Sequence, residues 1–267
     1  MINCDNNEFS IKISFLEWDT NILGIKSGYL EIIKNNSDNF SGLNNLIQQA
    51  MQNARDEGYE FLTAKIKSEE IEIVNLCIKN NGDLIDTELT FHKYKQHNSG
   101  VPETCFRSTE NNSSNLLQKK DFSIQKFKKY WHDSFYNLSG TLNNSRFFID
   151  KKIGPELANK VWKESIFNSC NGRATYTIVC FDQDKPAGLI NVFEKDNISD
   201  IFLITLFPEY QGHGLGSMML DFYDSNLDNF ISEQIVETQL INYNAQIFYS
   251  KKGYNNVSAK HTIHFWA

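Results

Sequence analysis

The apolar positions of this chain fall into two blocks of alternating strand-like and helix-like periodicity. From Phe15 to Ile33 the stretch FLEWDTNILGIKSGYLEII alternates apolar and polar residues and is interrupted at Gly24 and Gly28, which predicts extended structure around a glycine-containing turn. In LNNLIQQAMQNARDEG, Leu43, Leu46, Ile47, Ala50 and Ala54 recur at three- and four-residue steps, so the segment predicts a helix with Ser41 as its cap and Gly58 at its end. FLTAKI then reads as a strand. Ser68 opens a second helix through Ile71, Val74 and Ile78, Gly82 closes it, and LIDTELTFHKYK alternates again as a strand. The first block is therefore β, α, β, α, β. Residues 96 to 120 lose periodicity and gain serine, asparagine and a proline, the composition of a linker or exposed loop.

The second block repeats that alternation with more strands. FSIQKF reads as a short strand and TLNNSRFFIDKK as irregular, followed by a helix opened by Pro155 with Leu157, Val161, Trp162 and Ile166 on one face. ATYTIVCF, AGLINVF and ISDIFLITLF make three successive strands, the first two joined by the turn DQDKP. Leu215, Met219, Phe222, Tyr223, Leu227 and Phe230 then recur at helical spacing. IVETQLI reads as a strand, NYNAQIFYSKKG as a helix ending at Gly253, and the segment toward HTIHFW as a last strand. The expected architecture is α/β or α+β, with an N-terminal domain over 1–97, a linker over 98–120 and a C-terminal domain over 121–267. No internal repeat is visible beyond the loosely similar β-α-β-α-β order of the halves.

Composition narrows the function classes. A formal charge of −7 and a pI near 5.4 argue against a nucleic-acid partner, which needs a positive face. The lysines at 119–120 and 126–129 are short runs beside apolar residues and read as a solvated face. No run approaches the roughly 18 consecutive apolar residues of a membrane span, and the polar start MINCDNNEF lacks the apolar core of a signal peptide, so no membrane partner is expected and the cytoplasm is the default location. The five cysteines are widely spaced, with no CxxC pair and no cysteine–histidine cluster. They are expected to be buried apolar residues, and no metal is implied.

One stretch carries chemistry. YQGHGLGSMMLD, Tyr210 to Asp221, packs three of the chain's 14 glycines into five residues between a strand and a helix. Such a turn presents consecutive unpaired amides, and the helix N-terminus adds roughly half a positive charge, so the site suits an anion such as phosphate. A Walker loop is excluded because no lysine follows the last glycine, and glycines at 212, 214 and 216 do not fit GxGxxG. A tight turn needing positive φ and close helix packing would call for the same residues.

The wording around the loop goes further. Gln211, Gly214 and Gly216 form QxxGxG, and Asn242, Ala245, Tyr249, Gly253 and Tyr254 form NxxAxxxYxxxGY; together they resemble the acyl-CoA site of the GCN5-related N-acetyltransferases (GNAT) over roughly the last hundred residues. The resemblance implies a mixed, mostly antiparallel central sheet flanked by helices, preceded here by a partial domain of the same kind. It also implies acetyl-CoA or another acyl-CoA as co-substrate, with Gln211, Gly212, His213, Gly214, Leu215, Gly216 and Ser217 around its pyrophosphate. Thr205, Leu206 and Phe207 would lie at a splayed strand end facing the pantetheine arm, with the Leu206 amide as oxyanion donor. Asn242 and Phe248 would contact the same arm, with Ala245 beside them. Tyr249 matches the family's tyrosine that protonates the leaving thiolate, since a phenol with an ordinary pKa of about 10 keeps its proton at neutral pH.

The acceptor is narrowed by a second resemblance. LEWDTNILGIKSGYLEI and SRFFID…WKESIFNS…NG are similar to stretches of the WecD-type dTDP-fucosamine acetyltransferases. That similarity implies transfer of an acetyl or short hydroxyacyl group to the amine of a dTDP-linked amino-dideoxy sugar for a surface polysaccharide such as O-antigen, by a homodimer. Trp18, Asp19, Arg146 and Phe147 become candidate sugar-nucleotide or domain-packing residues, with Arg146 able to offer a bidentate contact to a diphosphate. The sequence marks no compelling general base among His213, His261 and His264. Two other readings stand beside this one: a GNAT enzyme acting on a peptide, protein or drug amine, and a non-catalytic acyl-CoA-binding protein.

Overall fold

The computed structural model describes residues 1–35, 40–95 and 122–267; the expected linker, with Cys105 and the lysines at 119–120, lies outside them. The described strands form one sheet in the order β1-β2-β3-β4-β11-β5-β10-β9-β8-β7-β6. In chain order these are β1 (Ile2–Asp5), β2 (Phe9–Phe15), β3 (Ser27–Lys34), β4 (Phe61–Lys67), β5 (Gly82–Tyr94), β6 (Phe122–Phe127), β7 (Tyr176–Asp182), β8 (Lys185–Lys195), β9 (Ile198–Leu206), β10 (Glu233–Gln239) and β11 (Asn255–Trp266). Only the pairs β3/β4 and β9/β10 are parallel; the rest are antiparallel, which matches the mixed, mostly antiparallel sheet expected.

The helices are α1 (Glu17–Leu23), α2 (Leu43–Asp56), α3 (Ile71–Lys79), the single turn α4 (Arg146–Ile149), α5 (Gly154–Asn168), α6 (Leu215–Ser225) and α7 (Tyr243–Lys251). On α2 the predicted stripe Leu43, Leu46, Ile47, Ala50 and Ala54 is buried throughout. The expectation of extended structure from Phe15 to Ile33 fails between Glu17 and Leu23. There Ile22 and Leu23 are buried on one side of a short helix, Glu17 and Asp19 occupy its first turn, and Gly24 ends it in the left-handed conformation at φ 75°. The N-terminal hairpin β1–β2 was not anticipated, although Ile2, Cys4, Phe9, Ile11 and Ile13 alternate inward as an edge hairpin requires. The stretch TLNNSRFFIDKK, expected to be irregular, contains α4, and a 3₁₀ segment, Asp133–Thr141, runs just before and into it. Ser41 and Ser68 are not the helix caps; Gly42 and Glu70 hold those positions. Cys4, Cys77, Cys170 and Cys180 are buried free thiols, as expected.

From α2 and α6 onward the two halves are related by a spacing of 172 residues. Helix starts Leu43 and Leu215, strand starts Phe61 and Glu233, and helix starts Ile71 and Tyr243 all lie that far apart. The ladders obey the same rule: Phe61 pairs with Trp266 as Glu233 pairs with Tyr94, and Lys67 with Lys260 as Gln239 with Glu88. Glu88 and Lys260, themselves 172 apart, pair with each other, so a pseudo-twofold axis passes through the β5/β11 pair. The last strand of each half crosses to the other. β5 supplies Leu89 and Phe91 to the core under α6 and α7, while β11 supplies Ile263 and Phe265 to the core under α2 and α3. Each core thus depends on both halves for its closure.

Candidate active site

The site starts from a divergence of two parallel strands. β9 pairs with β10 only from Ile198 to Ile201, and a bulge on β9 leaves Phe202 unpaired opposite β8. Beyond it the strands separate, with β9 still held by β8 and β10 by β5. The Phe207 amide donates to the Ala187 carbonyl. By the alternation of an antiparallel ladder the Leu206 amide then points the other way, into the opening toward β10. The Gln211 side chain donates to the Leu206 carbonyl at 3.0 Å. Thr205 is buried, its hydroxyl 2.7 Å from that of Thr141, and Phe207 is buried in the adjoining aromatic core.

The glycine loop closes one end of this opening. Gly212 and Gly214 have φ of 77° and 81°, a region an L side chain enters only at a cost, and a Cβ on Gly212 would meet nothing within 4 Å. Among the described residues no amide from Gly212 to Ser217 donates a hydrogen bond; the first to do so is Met218, to the Gly214 carbonyl. Leu215 is fully buried and anchors α6, whereas Gln211, Gly212, His213 and Gly214 are exposed. The chain therefore presents six consecutive unpartnered amides at the N-terminus of an 11-residue helix, an arrangement suited to a diphosphate. Phe248 packs beside it, within 3.8 Å of where a Gly216 Cβ would stand.

Tyr249 lies on α7, 5% exposed, its ring tilted against those of Phe91, Phe248 and Tyr254. Burial alone raises its pKa, so the phenol stays protonated, and its residue lines a cavity of about 290 Å³ at the opening. Asn242 caps α7: its Oδ1 accepts from the Ala245 amide at 3.3 Å and its Nδ2 donates to the Thr238 hydroxyl at 3.2 Å.

The cavity that Tyr249 lines is also lined by a set of acidic residues that the sequence did not single out. Asp86 and Glu88 on β5, Asp200 on β9 and Glu237 on β10 line it together with Lys65 of β4. Lys65 pairs with Glu88 at 2.5 Å and lies 4.0 Å from Glu237. Burial, reinforced by Glu237 and Glu88, pushes Asp200 up to about 6 against the opposing pull of Lys65; burial likewise pushes Asp86 up to about 6. Glu237 is raised by burial first and by Glu88 next. Four carboxylates against two cations, Lys65 and Arg146, which also lines the cavity, make a place where an amine cation is welcome and where a carboxylate can take its proton near neutral pH. The available signal was the TEL and VET stretches, each within a segment read as a strand. Without the β5/β10 pairing nothing brings these residues together.

Arg146 is tied down by its neighbours. Its Nη1 donates to the Thr63 hydroxyl at 2.7 Å and to His264 Nε2 at 3.3 Å, and its Nη2 lies 3.8 Å from Asp19. As His264 Nε2 accepts, the Nδ1–H donates to Asp150 at 2.7 Å, and Trp266 donates to the same carboxylate oxygen at 3.1 Å. His264 is fully buried and desolvation lowers its pKa, so it is a neutral structural group. His261 is bound to the Thr87 hydroxyl at 2.9 Å, and His213 is exposed. Trp18, Asp19, Arg146 and Phe147 meet in a second chamber of about 720 Å³, which shares Arg146, Phe147, Trp162 and Phe202 with the first. Phe147 is buried, with the Arg146 guanidinium 4.4 Å over its ring. Among the described residues no group of three or more histidine, cysteine or acidic side chains is arranged for a metal, and no helix is long and apolar enough to cross a membrane.

Known proteins resemble this chain at low identity. Residues 145–263 match the family model of the acetyltransferase (GNAT) domain. The spore coat polysaccharide biosynthesis protein SpsD of Bacillus subtilis is 23% identical over 127 residues, which is 47% of this chain and 44% of that protein; the match thus spans under half the length of the relative. A functionally unknown conserved protein from Staphylococcus epidermidis superposes with a TM-score of 0.61 at 13% identity, over 98% of this chain and 92% of its own. A tandem GNAT protein from the clavulanic acid biosynthesis pathway superposes with a TM-score of 0.57 at 9% identity, over 97% and 79% of the two chains. The chain accordingly has the GNAT fold, and the family match supports a GNAT acetyltransferase domain over residues 145–263 and, in general terms, acyl-CoA-dependent acyl transfer.

Proposed function

We propose that this protein is an N-acyltransferase moving an acetyl or short hydroxyacyl group from acyl-CoA to the amine of a nucleotide-linked amino-dideoxy sugar. The observation that carries the reading is one juxtaposition: a buried tyrosine and four carboxylates line a single cavity at a strand divergence, and the strand β9 leads from it into six unpartnered amides that pack toward Phe248, the neighbour of Tyr249. The Gly212–Ser217 amides would hold the donor's pyrophosphate, and the Leu206 amide would stabilise the oxyanion, where loss of one such donor costs about 3 kcal/mol. A carboxylate of the acidic set would take the proton of the ammonium, since only the neutral amine has a lone pair to attack the thioester. As the C–N bond forms and the C–S bond breaks, Tyr249 would give its proton to the departing sulfur. Asn242 and Phe248 would line the path of the pantetheine arm.

A sugar acceptor is supported by the similarity to a polysaccharide biosynthesis protein, and by walls that come from both halves: Lys65, Asp86 and Glu88 in the first chamber, Trp18 and Asp19 in the second. The excess of carboxylates favours a second reading, in which the acceptor is a more strongly basic alkylamine. A thiol-release assay with several short acyl-CoAs, run against dTDP- and UDP-amino sugars, polyamines and lysine peptides, tests both. Turnover with an amino-sugar nucleotide at least tenfold above the other amines supports the first. Preference for polyamines or peptides supports the second, and no release with any acceptor counts against both.

A further inference from the structure

The second chamber carries a charge opposite to the first. Its ionisable lining is Asp19, Arg146 and Arg173, one carboxylate against two guanidiniums, whereas the first has Asp86, Glu88, Asp200 and Glu237 against Lys65 and Arg146. The two guanidiniums are not equivalent. Arg146 has its donors turned to Thr63, His264 and Asp19. Arg173 is exposed at the end of the turn after α5, its guanidinium 5.5 Å from the centre of the Phe193 ring and 5.3 Å from that of Phe202. Among the described residues no carboxylate lies within ion-pairing distance of it. Cation–π contact with two rings, which are themselves nearly perpendicular, restrains a guanidinium without using any of its hydrogen-bond donors. Asn168 and the Trp18 indole line the same chamber.

We infer that the chamber around Arg173, Trp18 and Asn168 is the anion subsite of the acceptor. It would hold a phosphate or diphosphate borne by the amine substrate, so that the acceptor spans the two chambers with its amine among the carboxylates and its anionic end on Arg173. This rests on the acyl-transfer reading for the amine end and gives it a substrate class: amines that carry a phosphoryl group. None of the glycine-loop residues lines this chamber, so the donor's own phosphates are held elsewhere. Phe202, unpaired at the bulge of β9, is shared by both chambers and is one of the two rings beside the Arg173 guanidinium. The bulge that opens the sheet for the donor therefore also seats the cation for the acceptor. Arg146, whose guanidinium the sequence suggested for a diphosphate, becomes a positioning residue between the chambers.

The test has a binding arm that needs no turnover. Thymidine diphosphate, uridine diphosphate and inorganic pyrophosphate are titrated into the full chain in the absence of donor, with tryptophan fluorescence and calorimetry as readouts. A diphosphate is expected to bind and to perturb the fluorescence, with Arg173→Gln weakening it at least tenfold and Arg173→Lys weakening it less. Binding of both nucleotides but not of pyrophosphate assigns the ring to Trp18, and equal binding of all three assigns the affinity to the phosphates alone; either supports the anion subsite. In the transfer assay, Arg173→Gln is expected to raise KM for a phosphorylated amino sugar at least tenfold while leaving kcat, and KM for free glucosamine, within twofold. The inference is overturned if none of the three probes binds the wild-type chain, or if Arg173→Gln binds them as wild type does. Failure of transfer with intact diphosphate binding would sink the acyl-transfer reading and leave the subsite standing.

Discussion

The halves on either side of the pseudo-twofold axis share a backbone path and differ in what fills it. In the C-terminal half β9 and β10 separate around an opening lined by Tyr249. In the N-terminal half β3 and β4 also pair over a short run only, Ser27 to Tyr29, but β3 carries no bulge, and Leu30, which like Phe202 follows the paired run, pairs with Ile13 and is buried in the core. The loop counterparts differ likewise. Gly214 at φ 81° corresponds to Gly42 at φ −85°, where an added Cβ would lie 2.9 Å from the Asn6 side chain, and Gly212 corresponds to Phe40, whose ring packs against Phe9. Tyr249 corresponds to Cys77, fully buried, with its thiol pushed up to about 12 by desolvation. A fold can be duplicated while its chemistry is not. Uncovered amides, left-handed glycines and a phenol facing a cavity make one copy a candidate site, and their replacement by packed side chains makes the other a wall.

The largest effect is expected at the loop. Gly214→Val forces a β-branched residue into the left-handed region and covers the amides, and is expected to weaken acyl-CoA affinity by at least 100-fold in calorimetry. Gly42→Ala, in the half that holds no open loop, should leave that affinity within twofold. Next is the tyrosine. Tyr249→Phe is expected to lower kcat by about 10- to 100-fold at nearly constant donor KM, as removal of a proton donor that acts in the transition state should. Its counterpart Cys77→Ala is expected to leave kcat alone and to cost about 1 kcal/mol in denaturant unfolding through lost packing. A Tyr249→Phe enzyme with undiminished kcat would erase the functional distinction between the two positions.

Smaller effects follow from the carboxylates at the axis. If Asp200 or Asp86, both pushed up to about 6, is the proton acceptor, kcat/KM should fall about tenfold per pH unit below about 6, as the acceptor becomes protonated, and level off above it. The same shifts bear on stability with a definite sign. The folded chain holds these two protons more tightly than the unfolded chain does, so stability decreases as pH rises from about 4 to about 6 and stays at the lower value above. Asp86→Asn is therefore expected to stabilise the fold by about 1–2 kcal/mol at pH 7, a gain that disappears by about pH 4, checked by urea unfolding at both pH values.

Much of the scaffold was legible in the chain because its helices are amphipathic and its strands short and alternating, as the buried stripe of α2 and the strands around the glycine loop illustrate. The loop itself was legible because clustered glycines in a glycine-poor chain mark backbone that must stay bare. Three things were not. The helix at Glu17–Leu23 spans barely two turns, too short for its period to separate from an alternating pattern. The acidic cavity is built by pairing β5 with β10 and inserting β11 between β4 and β5, long-range choices that leave no local trace. The 172-residue repeat is carried by element lengths rather than residue identity. Leu43 and Leu215, Thr90 and Thr262, and His92 and His264 coincide, but other buried pairs keep only their apolar character, as Ala64 and Val236 do, or lose it, as Leu62 and Gln234 do.

The comparison of the halves reduces to a number that calorimetry reads directly: how many coenzyme A molecules one chain binds. One per chain, abolished by Gly214→Val and untouched by Gly42→Ala, is the predicted result. Two per chain, none, or binding that survives Gly214→Val would contradict the assignment of the donor to the amides of Gly212–Ser217.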